Sequence, residues 1–444
     1  MAANGRNAAT IGQHGDGVDA LLAELVAFRL GGTGARGEGA GLYDDGRDEA
    51  RSAAGSVEQL ELDGLTVPRI VNEFWTARQR QGHSLHELSY RACFKAELPR
   101  FFIERLTARG DVVLDPFLGR GTTLLEAALR GRRPWGNDAN PLSEVLCAPR
   151  LAPPDPAAVE VRLRDLDLAD PGPDADEPDL APFFAPGTLG ALRALRRRFA
   201  APDLDDVDRW LRMVATNRLT GHSPGFFSGR TMPPNQAVSA AAQRRLNERL
   251  DLVPPERDVR AILRKKGRSL MRDLDDRDRS HLREAAGGAR LACGDARSMR
   301  AFPAASVALV VTSPPFLDVV DYAADNWLRC WFNGIDAEAV SARLSTPRGL
   351  DAWLEVMGAV LGELRRVLRP GGWVAFEVGE VRGGRLLLEE PLLPVAAAAG
   401  LEPVAVVVNA QRFTKTAHCW GVANGAKGTN TNRVLLLRRP GGRA

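Results

Sequence analysis

Residues 114–127 read LDPFLGRGTTLLEA, and the fold turns on how this stretch is parsed. The preceding residues extend it to DVVLD (111–115), a short apolar run ending in an acid, which reads as a buried strand. GTTLLEAALRG (121–131) then reads as a helix closed by a glycine. Between them, Gly119 and Gly121 let the backbone pass close to a ligand, while the helix start offers unpaired N–H groups. An acid at the strand end suits a cationic or hydroxyl-bearing ligand better than a phosphate. A second acid, Asp138, closes the next strand, RPWGND (133–138), 23 residues after Asp115. That spacing suits a carboxylate holding ribose hydroxyls, so a nicotinamide cofactor competes on this stretch alone. The third glycine of the dinucleotide fingerprint is missing, however. A third strand-end acid, Asp295 in GDAR, is placed to read an adenine. Three acids at successive strand ends, on the edge where open α/β sheets bind ligands, favour adenosine recognition.

Outward from this stretch the chain alternates strand and helix patterns. After the first two strands come ARLACGD and VALVVTS. The helix LDAWLEVMGAVLGELRRVLRPGG follows, expected to stop at Pro370-Gly371-Gly372, and then WVAFEVG, PVAVVVN and RVLLLRR. Seven strands with helical crossovers predict a mostly parallel α/β sheet, interrupted between its second and third strands by a mostly helical insert. The fourth strand ends in TSPPF (312–316). Proline cannot donate to a sheet ladder, so the strand stops there and a rigid loop begins.

The 444 residues allow about two domains, and 44% hydrophobic with 26% charged content is ordinary for a soluble globular protein. No apolar stretch approaches the ~20 residues of a membrane span, and the polar N-terminus lacks a signal-peptide core. Five scattered cysteines without a CxxC pair fit a reducing cytoplasm. His83, His86 and Cys93 lie close together but lack a fourth ligand, so no metal is expected. The net charge of +3 hides a strong asymmetry: residues 191–290 carry 22 Arg or Lys against 13 acids, whereas residues 151–190 carry 2 against 9. The basic segment suits a phosphate-binding surface or, equally, solvated Arg-rich helices. Four parts are expected: a mostly disordered tail (1–65) with one helix in VDALLAELVAFRL, a first catalytic-domain part (66–150), a helical basic insert (151–288), and a second catalytic-domain part (289–440). Residues 168–187 read as an acidic, proline-rich linker.

DPFLGRGTT together with TSPPF resembles the amino-methyltransferases of DNA, which use S-adenosylmethionine to methylate exocyclic amines of cytosine or adenine. SLHELSYRACFKAELPRFFIERL (84–106) resembles the segment that wraps the methionine part of the cofactor in that family. The resemblance covers about 85–150 and 289–438, with the catalytic motif second in the chain where many relatives have it first. It implies a seven-stranded, Rossmann-like class I methyltransferase sheet. Asp115, Phe117, Gly119, Gly121, Thr122, Asp138 and Asp295 would bind the cofactor. Ser313, Pro314, Pro315 and Phe316 would be catalytic: the Ser313 hydroxyl and the Pro314 carbonyl accept hydrogen bonds from the target amine, and Phe316 stacks on a base rotated out of the duplex. Serine at this place is more typical of cytosine N4 methylation, aspartate of adenine N6. An adenine-N6 enzyme, an RNA amine methyltransferase and a catalytically silent nucleic-acid-binding protein are the alternatives. The expected partner is double-stranded DNA, with a cognate restriction nuclease as a further candidate. The insert is expected to recognise the target, with Arg264, Lys265 and Lys266 in RAILRKKGRSLMR contacting phosphates. The 213–239 loop is expected to be functional, and the 410–432 loop to overhang the active site.

Overall fold

The computed structural model describes residues 16–29, 55–75, 82–90, 93–232, 237–315, 317, 322–343, 347, 349–381, 385–410 and 431–441. In chain order, α1 (Asp16–Ala27) precedes the hairpin β1 (Ser56–Leu62) and β2 (Leu65–Asn72). A 3-10 turn (Ser84–His86) and α2 (Glu97–Leu106) lead into β3 (Val112–Asp115), α3 (Thr122–Leu129) and β4 (Arg133–Asp138). After α4 (Leu142–Leu151), the insert contributes α5 (Pro156–Asp165), α6 (Pro186–Phe199), α7 (Asp206–Arg218), α8 (Ala240–Leu250), α9 (Val259–Leu270) and α10 (Asp276–Gly288). Then follow β5 (Arg290–Cys293), β6 (Val307–Thr312), α11 (Tyr322–Asn333), α12 (Ala337–Arg343), α13 (Leu350–Val367) and β7 (Leu368–Val378). A small ribbon of β8 (Glu380–Val381) and β9 (Leu386–Leu387), α14 (Glu389–Ala398), β10 (Glu402–Ala410) and β11 (Thr431–Arg438) complete the chain.

Among the described residues the main sheet has nine strands in the order β1-β2-β10-β11-β7-β6-β3-β4-β5. The seven strands expected from sequence are its last seven, β10 through β5. Within them only β11 runs antiparallel to its neighbours, and β6-β3-β4-β5 and β6-β7 pair in parallel. The central strands are runs of β-branched and leucine residues buried on both faces, as a covered parallel sheet requires. The β1–β2 hairpin was not expected. It extends the sheet through parallel pairing of β2 with β10, and β1 lies inside the stretch read as tail. The α13 helix also ends earlier than Pro370-Gly371-Gly372: Leu368 already begins β7, and the glycines sit inside the strand.

Helices cover both faces. On one, α1 and α2 set Leu22, Phe101, Phe102 and Ile103 against Val113, Leu309, Val311 and Val407. On the other, α13 aligns Trp353, Met357, Val360, Leu364 and Val367 at helical spacing over Leu114, Val310 and Phe376. A third core joins the insert to α3 and α11 around Trp210, Phe183, Phe227 and Phe332. The chain leaves β3 towards β4 and β5 on one side, while β6 and β7 lie on the other. Their carboxyl ends therefore diverge at the β3/β6 boundary, the switch point where open α/β sheets form a crevice.

Candidate active site

A cleft with about 1100 Å³ of empty volume, counting its open mouth, lies over that switch point. Asp115, Phe117, Gly119, Thr122, Asp138, Asp295, Ser313 and Pro315 all line it, so residues from four strand ends expected to act together do meet. Pro314 is buried beside them in the loop after β6. Gly121 stands just behind the lining: it caps α3 with φ +73°, and a Cβ there would come 2.5 Å from Cys147 Sγ. Phe316 lies outside the described residues, as does most of the 410–432 loop.

Each carboxylate is held differently. Asp138 accepts the Gly119 N–H at 2.7 Å on one oxygen and the Asn140 N–H at 2.8 Å on the other, so it fixes the glycine turn while facing the cleft. Burial raises its pKa against those two bonds. Asp115 is 2% exposed and clips two strands together: its Oδ1 accepts the Thr312 hydroxyl of β6 at 2.7 Å and the Phe117 N–H at 3.1 Å. Burial, with a further push from the Asp138 charge, lifts its pKa to about 7 despite these bonds. Asp295 lines the cleft, but its carboxylate is closed by Arg297, whose Nε lies 2.9–3.0 Å from both oxygens. The adenine-reading role expected for it must therefore compete with an ion pair.

Several contributors were not foreseen. Glu377, in β7, is buried and hydrogen-bonded to Ser313, and it accepts from Asn432 Nδ2 at 2.9 Å. Burial raises its pKa to about 7 against both bonds. Asn432 in turn accepts from Trp75 Nε1 at 3.2 Å, and Asn409 ties the Phe74 and Trp75 N–H groups at 2.7 and 3.1 Å. A polar chain thus runs from Ser313 to the N-terminal hairpin. Trp353 Nε1 donates to the Pro315 carbonyl at 3.0 Å, bracing the Pro-Pro loop, and its indole joins Val356, Met357 and Val360 in an apolar wall of the cleft. Tyr90, Cys93 and Phe94, from the segment before α2, form part of the rim.

That segment is anchored from behind. Glu126 of α3 is fully buried and takes His86 Nε2 at 2.7 Å, Arg100 Nε at 3.2 Å and Arg130 Nη1 at 2.6 Å. Burial would raise the Glu126 pKa, but the His86 bond and the arginines hold it at about 2, while burial pushes His86 down to about 4. His86 is thus a positioned core residue. Among the described residues, no group of three or more His, Cys, Asp or Glu is placed to hold a metal ion. No described helix is long and apolar enough to cross a membrane.

The phosphate contacts expected of α9 are largely taken up within the chain. Arg264 Nε lies 2.7 Å from Glu160, and Lys266 Nζ 3.4 Å from Glu87 with its side chain 11% exposed; among the described residues Lys265 stands in solvent without such a pair. The 168–187 stretch is likewise not a free linker, since Asp170, Asp174 and Glu177 pair with Arg193, Arg196 and Arg197 of α6.

A seven-stranded core with one antiparallel strand, three acids and a glycine turn at the switch point, and a Ser-Pro-Pro loop on the adjacent strand define a class I, Rossmann-like methyltransferase fold. Residues 49–142 match the family model described as DNA methylase. The type II methyltransferase M.BsoBI of Geobacillus stearothermophilus is 31% identical over 125 residues, 26% of this chain and 23% of that protein. M.MvaI of Kocuria varians is 31% identical over 83 residues, 18% of each chain. The matched stretches thus span about a quarter or less of the curated relatives. A solved structure from Thermus thermophilus, described as a DNA modification methylase complexed with S-adenosylmethionine, is 27% identical over 34% of this chain and 53% of that chain, with a TM-score of 0.21. Over these stretches the chain is similar to the DNA methylases.

Proposed function

We propose that this chain is a cytoplasmic enzyme that transfers a methyl group from S-adenosylmethionine to an exocyclic amine in double-stranded DNA, cytosine N4 before adenine N6. The observation that carries the reading is Ser313: it sits on the strand end beside the acid-lined cleft and is hydrogen-bonded to buried Glu377. The cleft fits the cofactor's chemistry. Asp138 suits ribose hydroxyls, and the carboxylates at the strand ends, which have no cationic partner at Asp115 or Asp138 among the described residues, suit a sulfonium and an ammonium. The apolar wall around Phe117, Trp353 and Met357 suits a flat ring. When bound, S-adenosylmethionine supplies an electrophilic methyl on sulfur.

The residues of the chain do the rest. A nucleobase amine is a poor nucleophile because its lone pair is delocalised into the ring. With its proton given to Glu377, Ser313 Oγ can accept one amine N–H, and the Pro314 carbonyl can accept the other. Together they draw the nitrogen towards tetrahedral geometry and aim its lone pair. The prolines and the Trp353 brace hold this loop in place beforehand, and Phe316 would stack on the flipped base. Serine is too weak a base to take the proton first, so the proton leaves after methyl transfer. The preference for cytosine N4 rests on serine at this position. The insert would recognise the target.

The test is single-turnover methylation of duplex DNA by Ser313→Ala, alongside cofactor titration. The rate should fall about 10²–10³-fold, the scale of a lost transition-state hydrogen bond, at nearly parental cofactor affinity. A parental rate would remove Ser313 from the chemistry.

A further inference from the structure

Cations gather where the insert meets the segment that rims the cleft. Arg218 ends α7, Lys266 lies in α9 and Arg329 in α11. The Arg218 guanidinium lies over the Phe226 ring at 4.0 Å and donates to Asn217 Oδ1. It makes no ion pair among the described residues, Glu87 acting on it only through space, and its Nε is buried without a hydrogen-bond acceptor. Asn217 Nδ2 and Arg329 Nη2 converge on the Ser89 carbonyl at 3.3 and 3.0 Å, and Arg329 lies 5.7 Å from the ring of Tyr90, which lines the cleft.

Nearby negative charge is already committed. Glu87 serves both Lys266 at 3.4 Å and Arg272 at 3.0 Å, Asp273 pairs with Arg272 at 2.9 Å, and Asp325 acts on Arg329 from its own helix. Burial lowers the Arg218 pKa to about 10, with Arg329 adding to the push, and burial lowers Lys266 to about 8, with Arg218 adding. Like charges gathered in a partly dry place are costly without an anion between them. The glycine-rich turn after α7 holds this arrangement in advance. Phe227 N–H donates to the Arg218 carbonyl at 2.9 Å, and Gly229 N–H to the Phe183 carbonyl at 2.9 Å. An arginine fork with an unengaged edge matches phosphate oxygens better than a lone ammonium does.

We propose that Arg218, with Lys266 and Arg329 behind it, forms an anion subsite that takes a backbone phosphate of the DNA strand beside the flipped nucleotide. This rests on the DNA-methylating reading above and replaces the α9 triad as the principal phosphate contact. It also gives the 213–239 segment a task.

The test is duplex binding by the full chain as a function of salt, for the parent, Arg218→Gln and Arg218→Lys. Arg218→Gln should bind roughly tenfold more weakly at low salt. Its log K against log salt should be less steep by about 0.9, as for one lost phosphate contact. Cofactor titration should stay at parental values and the thermal midpoint should not fall, because the change relieves repulsion. Arg218→Lys should recover most of the slope. A parental slope in Arg218→Gln would overturn the subsite and leave the DNA-methylating reading standing. A parent that shows no salt-dependent duplex binding would overturn that reading and the subsite with it. Should Arg218→Gln not fold, Lys266→Gln reads the same field, and unchanged duplex binding in it would equally overturn the subsite.

Discussion

The carboxyl edge of the sheet and the helical insert are both rich in charge, and they hold it in opposite ways. At the sheet edge Asp115 and Glu377 are buried and Asp138 is half-buried, each on hydrogen bonds from neutral donors with no cationic partner among the described residues, and loss of water raises the pKa of all three. In the insert Arg162, Arg193, Arg196, Arg198 and Arg264 each meet an acid of the insert itself. Raised carboxylate pKa values mark groups held ready for something the chain does not itself provide. Paired surface arginines mark scaffold, each pair contributing about 0–1 kcal/mol. A count of basic residues does not distinguish these cases, whereas the partners do. Arg218, also in the insert, follows the rule of the sheet edge instead.

Substitutions separate the two regions. The largest effect is expected at Gly121. With φ +73° and Cys147 Sγ only 2.5 Å from where an added methyl would sit, Gly121→Ala should cost roughly 2–4 kcal/mol of stability, combining backbone strain with overpacking. Chemical denaturation measures it, and a loss below about 0.5 kcal/mol would show that the turn adapts. Next, Asp138→Ala should weaken cofactor binding by about 1–3 kcal/mol, the range for hydrogen bonds involving a charged group. Calorimetry that finds unchanged affinity would remove Asp138 from the ribose site.

A subtler effect concerns pH. The Glu377 pKa is raised to about 7 in the folded protein, so the proton favours folding. Its stability contribution is complete below the ordinary carboxyl value near 4.5 and is lost as pH rises through about 7. Glu377→Gln should therefore be the more stable form relative to the parent at pH 8 than at pH 4, with Asp115 keeping its own share of the pH dependence in both proteins. Methyl transfer should run the other way in the parent. It should rise through pH 7 as Glu377 ionises and accepts the Ser313 proton, and it should be slow and flat there in Glu377→Gln. Denaturation midpoints and single-turnover rates at the two ends of this range check both halves. The smallest effect is expected at Arg264. Because it already answers to Glu160, Arg264→Gln should change stability by less than about 1 kcal/mol and leave the salt dependence of DNA binding unaltered. A flattened salt slope would return α9 to the DNA interface.

The seven core strands could be read from sequence because each is a short buried run bounded by turns or acids, and β3 and β6 are buried at every position. The β1–β2 hairpin could not. Only Leu60 of β1 is fully buried, so its polar alternation resembles the tail around it. Asp115, Asp138 and Ser313 were legible because motif and strand end coincide. Glu377, Trp353 and Asn432 were not, since Glu377 meets Ser313, Trp353 meets its loop and Asn432 meets Glu377 only through the tertiary pairing of β6, β7, β11 and α13. Charge partners such as Arg264–Glu160 and Lys266–Glu87 are equally remote along the chain, which is why two of the three residues read as phosphate contacts prove to be ion-paired within the chain.

The central claim is that the Ser313 loop methylates an exocyclic DNA amine. It is tested most directly by incubating the protein with duplex DNA and methyl-labelled S-adenosylmethionine, then identifying the labelled nucleoside by mass spectrometry. Label is expected in N4-methyldeoxycytidine. Label in N6-methyldeoxyadenosine would contradict the choice of base, and label confined to RNA, or absent from nucleic acid altogether, would contradict the claim itself.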